Sequence, residues 1–308
     1  MALSAASAVE RTRVLMVTGG VRAVEHELIE AARARLAVNG GAAIELNVVE
    51  LSELGTGNAS DRGGARPNLI VTVGTQASQH LAAQGGDTPV LSVLTPRVSF
   101  DALAREWRKR RAGNGGAQLS AIYLDQPPQR HFALIRELFP RAQRVAIMLG
   151  PSTAAYAGEL RAAARDHGLT PLIESVGAEQ NLIHALDVLL PQADVMLAVV
   201  DPLVFNRTNA QRVLLTAYRH RVPLVGASPA YVRAGAIAAV HATPAQIGQQ
   251  LGDVLARFAR NGSRQLPAPQ YPKQLAVTVN EQVARSLEVP LPANHHLERR
   301  LLERGGEP

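Results

Sequence analysis

The sequence predicts an α/β protein with two Rossmann-like lobes, each built on a parallel sheet, around a central cleft. Three observations predict this class: short apolar runs recur, a turn of small polar residues follows each run, and a helical pattern follows each turn. Val145–Leu149 with the following Gly150-Pro151-Ser152 is the clearest example. A run that no polar residue interrupts is typical of a strand that is buried on both faces.

The same unit accounts for most of the chain, and each strand is predicted where an apolar run lies between turn residues. The predicted strands span residues 13–18, 44–51, 68–73, 89–94, 119–124, 144–149, 171–176, 194–200, 222–226, 236–240 and 275–279. The predicted helices span residues 21–38, 75–84, 99–111, 127–139, 153–167, 179–190, 207–220, 244–261 and 281–287. Residues 55–67 predict a surface loop, and the glycine-rich residues 112–118 predict a flexible stretch.

The order of these elements predicts how the chain divides. A first strand–helix series forms lobe 1, residues 1–120, and a second forms lobe 2, residues 121–264, with the first crossing near 118–125. A late strand predicts a C-terminal return to lobe 1 at about 265–292, and 293–308 is a charged tail. Since ligands of open parallel sheets bind outside the carboxyl ends of the strands, those ends are expected to face the cleft.

Composition excludes several classes of protein. The chain has no cysteine, which removes disulfides and thiol catalysis, and its nine histidines do not form a zinc-protease pattern. We therefore expect no enzyme: no catalytic residue, no metal and no cofactor. The net charge is +6, but no basic run is interleaved with aromatic residues, so no nucleic-acid partner is expected. No apolar stretch reaches the roughly 18 residues that a membrane span needs.

The turns after the strands supply the candidate site. A helix that begins directly after a strand offers free backbone N–H groups, which suit a carboxylate. Asp201 follows an apolar strand, where its carboxylate could bind a ligand's ammonium group or cap the next helix. Each of these turns could equally be an ordinary helix cap, and each aromatic residue could serve packing. The candidate ligand-binding residues are Thr18, Gly19, Gly74, Thr75, Gln76, Thr95, Tyr123, Gly150, Ser152, Thr153, Asp201 and Ser228.

Several passages, in the same order and spacing, resemble a known family. An apolar strand is followed by Gly-Thr-x-Ala, a helix by Pro, a small residue, a basic residue and Val, and a late passage begins with Val-Asn and ends with Pro. These passages are Val71–Ala77, Leu134–Val145 and Val279–Pro290. The sequence thereby resembles ABC-transporter substrate-binding proteins of the tryptophan/tyrosine type, which have the periplasmic binding protein type I fold.

The resemblance implies the extracytoplasmic solute-binding component of an ABC-type importer. Such a protein closes by a hinge motion on an amino-acid-like solute or another small carboxylate in the cleft, and its partner is an ABC permease in the membrane. A periplasmic monomer is expected. Residues 1–10 lack the charged start and long apolar core of a signal peptide, and we interpret their small residues as the remains of a cleavage region.

The chain departs from the family pattern at two turns. Thr95-Pro96 stands where members carry Asp-Pro, and residues 117–122 lack the usual Asn-x-Thr-Gly-Val. These departures leave open an alternative, a sensor or interaction protein that keeps the fold but binds a protein partner. An α/β enzyme that uses the same cleft is a third hypothesis, which would need an acid–base pair within hydrogen-bond reach.

Overall fold

The computed structural model describes residues 11–20, 23–39, 44–54, 66–110, 118–260, 265–292 and 294–304. The chain forms two compact units. Unit 1 comprises Met1–Leu124 and Pro244–Gln270, and unit 2 comprises Asp125–Thr243 and Tyr271–Pro308.

Strands and helices alternate along the described residues, as the repeated strand–turn–helix pattern predicts. The strands are β1 (Thr12–Thr18), β2 (Ile44–Glu50), β3 (Leu69–Val73), β4 (Val90–Thr95), β5 (Leu119–Tyr123), β6 (Arg144–Leu149), β7 (Thr170–Ser175), β8 (Val195–Leu197), β9 (Leu224–Gly226), β10 (Ala238–His241) and β11 (Ala276–Val279). The helices are α1 (Ala23–Val38), α2 (Leu51–Leu54), α3 (Gly74–Gln84), α4 (Arg97–Arg110), α5 (Pro128–Leu138), α6 (Ala157–Asp166), α7 (Leu182–Leu189), α8 (Arg207–Arg219), α9 (Pro229–Ala234), α10 (Pro244–Arg260), α11 (Glu281–Ser286) and α12 (Asn294–Arg304).

The described part of unit 1 is built on a parallel sheet of five strands in the order β2-β1-β3-β4-β5. The central strand, β3, has all five residues buried, as expected of a strand that is covered on both faces. Its carboxyl end leads directly into α3, without an intervening loop. This edge of the sheet therefore carries a helix start beside the turns that follow β1 and β4.

Helix α10 returns to unit 1 and packs along α1 at very close range. A Cβ atom on Gly248 would overlap the backbone oxygen of Leu28, and one on Gly252 would lie 2.7 Å from the Cβ of Arg35. Two glycines four residues apart lie on one face of a helix, so together they allow the two backbones to approach. An ion pair completes the contact, with Arg35 Nε 2.7 Å from Asp253 Oδ1.

The described part of unit 2 is built on six strands in the order β11-β10-β9-β8-β6-β7. All neighbours are parallel except β10 and β11, which are antiparallel. Strand β6 is buried on both faces: Val145, Ile147 and Leu149 belong to one apolar cluster, while Ala146 and Met148 belong to another. The unbroken apolar run therefore reflects a strand that separates two cores.

The expected lobe boundaries differ from this division. The first crossing, after Leu124, falls within the expected stretch, but residues 244–264 were expected in lobe 2 and α10 lies in unit 1. The late strand was expected to return to lobe 1, whereas β11 extends the sheet of unit 2. Amphipathic periodicity shows that a segment has a buried face but not which sheet that face covers.

The residues expected to form a charged tail contain the helix α12. Leu297 and Leu301 on this helix are fully buried in the larger core of unit 2. Glu298 Oε1 accepts a hydrogen bond of 2.9 Å from the backbone N–H of Val277, at the edge strand β11. The high charge of the segment therefore belongs to the exposed face of a packed helix. Most of the surface loop and the flexible stretch predicted from the sequence lies outside the described residues.

Candidate functional site

The carboxyl edge of the unit 1 sheet holds the start of α3. Gly74 has φ of 83°, a left-handed conformation that glycine adopts without strain, and it turns the chain from β3 directly into the helix. Val73, the residue at the N-cap position, makes no side-chain cap. Thr75 is half-buried and Gln76 is exposed. The first backbone N–H groups of α3 therefore lack a side-chain cap and carry the positive end of the helix dipole.

The turn after β1 lies beside this helix start. The backbone N–H of Gly19 donates to Glu25 Oε1 over 3.3 Å. A Cβ atom on Gly19 would lie 3.8 Å from Gln76 Oε1, so the two predicted residues are close neighbours. Thr18 is fully buried and donates to the backbone oxygen of Val49 over 3.4 Å. Of this pair of turn residues, Gly19 is the one on the same face as Gln76.

Thr95 faces the interior of unit 1, not the edge of the sheet. Leu94 has φ of 54°, and the pairing of β4 with β5 shifts register between Val93 and Thr95. Such a bulge redirects the next side chain. The Thr95 hydroxyl, 1% exposed, accepts from Ser92 Oγ at 2.8 Å and lies 3.2 Å from Ser78 Oγ. This hydroxyl cluster binds α3 to the sheet.

Tyr123, at the end of β5, is also mostly buried. Its ring meets that of Phe100 edge-on, with the centroids 5.6 Å apart and an interplanar angle of 65°. Edge-to-face pairs of this kind stabilise cores. The contact favours the packing alternative that the sequence left open for this residue.

In unit 2, Asp201 lies where two strand-end turns meet. Its side chain is 2% exposed, and each carboxylate oxygen accepts two hydrogen bonds. Oδ1 accepts from the backbone N–H groups of Leu203 at 2.8 Å and Val204 at 2.9 Å. Oδ2 accepts from the Gly150 N–H at 3.1 Å and from the Thr153 hydroxyl at 2.7 Å. These contacts favour the capping alternative, because the protein itself already uses the carboxylate.

The turn after β6 is correspondingly tight. A Cβ atom on Gly150 would lie 2.5 Å from Asp201 Oδ1, a distance that real Cβ atoms essentially never show. Thr153 is fully buried beneath the turn, and Ser152 is exposed at its surface. Of these predicted residues, Ser152 is therefore the one that presents its side chain outward.

The turn after β9 carries Ser228, the N-cap residue of α9. Its backbone oxygen accepts from the Tyr231 N–H at 3.0 Å, and its side chain makes no cap bond. The Tyr231 hydroxyl donates to the backbone oxygen of Phe205 at 3.2 Å, and the two rings meet edge-on. Burial, with smaller effects of the Asp125 and Asp201 charges, raises the pKa of Tyr231 to about 12, so the phenol stays protonated as a donor.

Sequence reasoning missed most of the residues that support these turns, and it considered Tyr231 and Phe205 only as aromatic groups that could stack on a ligand or serve packing. Glu25 accepts a hydrogen bond from Gly19, Ser78 and Ser92 contact the Thr95 hydroxyl, and Tyr231 links the turns after β8 and β9. An acidic residue in the first turn of a helix that follows a strand is a usable signal, and it points to Glu25. A short-range pattern does not reveal pairs such as Tyr231 and Phe205, because the sheet order brings them together.

The described part of the chain offers neither a metal site nor a membrane span. Within it, no group of three or more His, Cys, Asp or Glu side chains could hold a metal ion. Among the described helices, none is long and apolar enough to cross a membrane.

Comparison with known proteins decides the family. The model of the ABC transporter substrate binding protein family matches residues 58–297 of the 308. The chain belongs to this family. Members of the family are extracytoplasmic proteins that bind small molecules and work with an ABC permease. The family is one of binding proteins and not of enzymes. No curated protein sequence matches the chain.

Several solved structures share the fold of this chain. A Streptococcus pneumonia ABC domain in complex with L-Trp is 17% identical, with a TM-score of 0.60 over 96% of this chain and 99% of that one. A ligand-free, open substrate binding protein with adhesive properties from Clostridium difficile is 17% identical, with a TM-score of 0.65 over 92% and 97%. A conserved domain protein from Vibrio cholerae is 20% identical, with a TM-score of 0.59 over 95% and 98%. The predicted periplasmic binding protein type I fold is confirmed.

Proposed function

We propose that the chain is the extracytoplasmic solute-binding component of an ABC-type importer and that its solute is amino-acid-like or another small carboxylate. Membership of the substrate-binding family is the observation that carries this proposal. The periplasm as its location, a permease as its partner and a monomeric state belong to the same proposal. Hinge closure on the solute stays a prediction from the sequence.

The start of α3 supports a carboxylate as the group that unit 1 recognises. Its first N–H groups have no side-chain cap from Val73, and a Cβ atom built on Gly74 would meet no atom within 4 Å, so the space beside this residue is open. An anion at such a position gains both hydrogen bonds and the favourable field of the helix. Gln76, whose side-chain amide can donate, would then lie beside the bound carboxylate, while the N–H of the neighbouring Gly19 already donates to Glu25.

The contacts of Asp201 refine the expectation for an amino-acid-like solute. Both of its oxygens accept hydrogen bonds from within unit 2, so an ammonium group would have to displace one of them. The proposal therefore assigns recognition of the carboxylate, not of the ammonium group, to the described turns. The complex of the Streptococcus pneumonia domain with L-Trp makes L-tryptophan a natural first probe of this chain.

A thermal-shift screen of protein refolded from denaturant tests the proposal. Amino acids, small carboxylates, purines and sugars are each added to ligand-free protein. A ligand that binds the native state alone raises the stability by about 2.7 kcal/mol at a hundredfold excess over its dissociation constant. We expect upward shifts confined to compounds with a carboxylate. Shifts only with sugars or purines would overturn the assigned class.

The alternative is a protein of this family that has lost solute binding and binds a protein partner. The burial of Thr95 and Tyr123 favours it, because two strand-end positions that could contact a solute serve packing instead. The same screen separates the two functions. No shift with any compound, in protein shown to be free of ligand, would favour the partner-binding alternative.

A further inference from the structure

Asp201 is the point at which two separate turns of unit 2 are joined. The Gly150–Thr153 turn follows β6, and the Pro202–Val204 turn follows β8, the neighbouring strand in the sheet. Oδ2 accepts two hydrogen bonds from the first turn, and Oδ1 accepts two from the second. A single buried carboxylate therefore fixes the distance between the two turns.

We propose that Asp201 is a positioning residue: it fixes the turn after β6 to the turn after β8 and so shapes the carboxyl edge of unit 2 without contacting the solute. This inference rests on the proposed function, since the edge matters only if a solute binds there. It replaces the ligand role that the sequence suggested for Asp201. Asp201 acts through Gly150 and Thr153, whose positions its hydrogen bonds fix.

The chemistry of the four donors explains why the residue is an aspartate. A carboxylate has about four lone-pair positions and no donor, so it accepts from three N–H groups and one hydroxyl at once. Bonds of this kind, from neutral donors to a charged acceptor, are stronger than neutral pairs. They also compensate for the burial of the charge, since 2% exposure leaves little solvation by water.

Close packing makes this connection between the two turns, here called the join, rigid. The Gly150 backbone approaches the carboxylate so nearly that a Cβ atom there would lie 2.5 Å from Oδ1 and 2.8 Å from Oδ2. Thr153, fully buried, also contacts the backbone oxygen of Gly150, at 3.4 Å from its hydroxyl. Neither turn can move independently unless a hydrogen bond to Asp201 breaks.

The opposite end of β6 offers a matched control. Asp194 precedes β8 as Asp201 follows it, and Asp194 Oδ2 accepts from the backbone N–H groups of Gln143 at 2.7 Å and Arg144 at 2.8 Å. Here one oxygen accepts both bonds, so the carbonyl oxygen of an asparagine can replace it. At Asp201 both oxygens are needed, and an asparagine must turn its NH₂ group toward one turn.

The Asp201→Asn variant separates the two halves of the join. Its carbonyl oxygen can keep the bonds from Leu203 and Val204, while its NH₂ group then faces the N–H of Gly150. We expect the amide hydrogen of Gly150 to exchange about tenfold faster than in the wild type, as loss of one hydrogen bond implies. Its NMR resonance should also shift, while Asp194→Asn leaves both readouts unchanged.

The amide readout decides the positioning claim without a ligand. Thr153→Ala, which removes one donor and leaves the carboxylate, provides the same readout if Asp201→Asn does not fold. Wild-type exchange and an unshifted Gly150 resonance in both variants would overturn the proposal.

The binding readout uses L-tryptophan as the probe. If Asp201 acts through the turn after β6, Asp201→Asn and Thr153→Ala should each weaken binding, and the double variant should be little weaker than either. Fully additive losses would mean that Asp201 contacts the solute, and wild-type affinity in a variant with a displaced turn would mean that the turn lies outside the site. If wild-type protein binds neither L-tryptophan nor any screened compound, the proposed function fails, and the amide exchange still decides the join.

Discussion

At the scale of single residues, glycine at position 150 follows from the carboxylate beside it. A methyl group there would push the Asp201 carboxylate away from four donors that it satisfies in a buried position. We expect Gly150→Ala to lower the free energy of unfolding by about 2–4 kcal/mol, because it combines overpacking with lost hydrogen bonds. Urea unfolding followed by circular dichroism measures this change.

Gly158 is the matched control for Gly150→Ala. It lies in α6, and a Cβ atom there would meet no atom within 4 Å. Alanine favours a helix over glycine by up to about 1 kcal/mol, so Gly158→Ala should leave the protein as stable or make it more stable. Equal destabilisation by the two substitutions would show that the contact with Asp201 does not explain Gly150.

His131 predicts a pH dependence of stability. Burial lowers its pKa from 6.5 to about 4, and a backbone hydrogen bond to Gln126 offsets only part of this effect. As the pH falls from 6.5 to about 4, His131 becomes protonated in the unfolded chain but stays neutral in the folded chain. The free energy of unfolding should therefore fall as the pH is lowered through this window, by on the order of 3 kcal/mol from this residue.

The measurement is the free energy of unfolding at several pH values between 7 and 4, for the wild type and for His131→Leu. The variant should lose most of this dependence, whatever its stability at pH 7. His241, whose pKa burial also lowers, adds a smaller part in the same direction that remains in the variant. An identical slope in both proteins would contradict the role of His131.

The candidate site could be predicted from the sequence only in part. The turns after the strands are visible as Gly74-Thr75 and Gly150-Pro151, because backbone geometry demands small residues there. The direction of a side chain is not visible, since a one-residue bulge at Leu94 was enough to turn Thr95 inward. Asp201 showed the same ambiguity, because a cap and a ligand contact require the same residue type.

At the scale of elements, the close packing of α1 against α10 depends on glycines, which have no side chain. Gly248→Ala would place a methyl group against the backbone oxygen of Leu28, which cannot move aside as a flexible side chain can. We expect a loss of stability of about 2–3 kcal/mol, despite the higher helix propensity of alanine. The exposed neighbour Gln249 is the control, and Gln249→Ala should stay within about 0.5 kcal/mol of the wild type. Urea unfolding of the two variants measures both changes. A Gly248→Ala protein as stable as the wild type would contradict the close contact between α1 and α10.

The contact between α1 and α10 shows which property of an element the sequence does not predict, namely its partner. The period of apolar residues places a helix at 244–261 with nearly the observed bounds. It does not show that the partner is α1, more than two hundred residues earlier, because two glycines spaced four residues apart indicate a close contact but do not identify the helix that makes it. The strands were predicted more securely, since a short apolar run between turn residues, such as Val145–Leu149, has the length of a buried strand and not of a helix.

At the scale of the whole molecule, the alternation of strands and helices was enough to predict the fold class, and family membership confirms it. The division of the chain was harder to predict, because three crossings connect the two units and only the first has a glycine-rich approach. α10 and β11 each join the unit opposite to the one expected. The sequence of each element shows that one of its faces is buried. Which unit the element belongs to depends on the sheet that it packs against or extends.

The proposed binding site for a small carboxylate is the uncapped start of α3. The test is a calorimetric titration of the screen's strongest ligand into three ligand-free proteins: the wild type, Gln76→Glu and Gln79→Glu. A glutamate at position 76 repels a bound carboxylate, and the helix dipole offsets its repulsion from the nearby Glu25, so the fold should keep its stability. We expect one-to-one binding, at least about tenfold weaker in Gln76→Glu, with the exposed Gln79→Glu control unchanged. Equal affinity in all three proteins would contradict it.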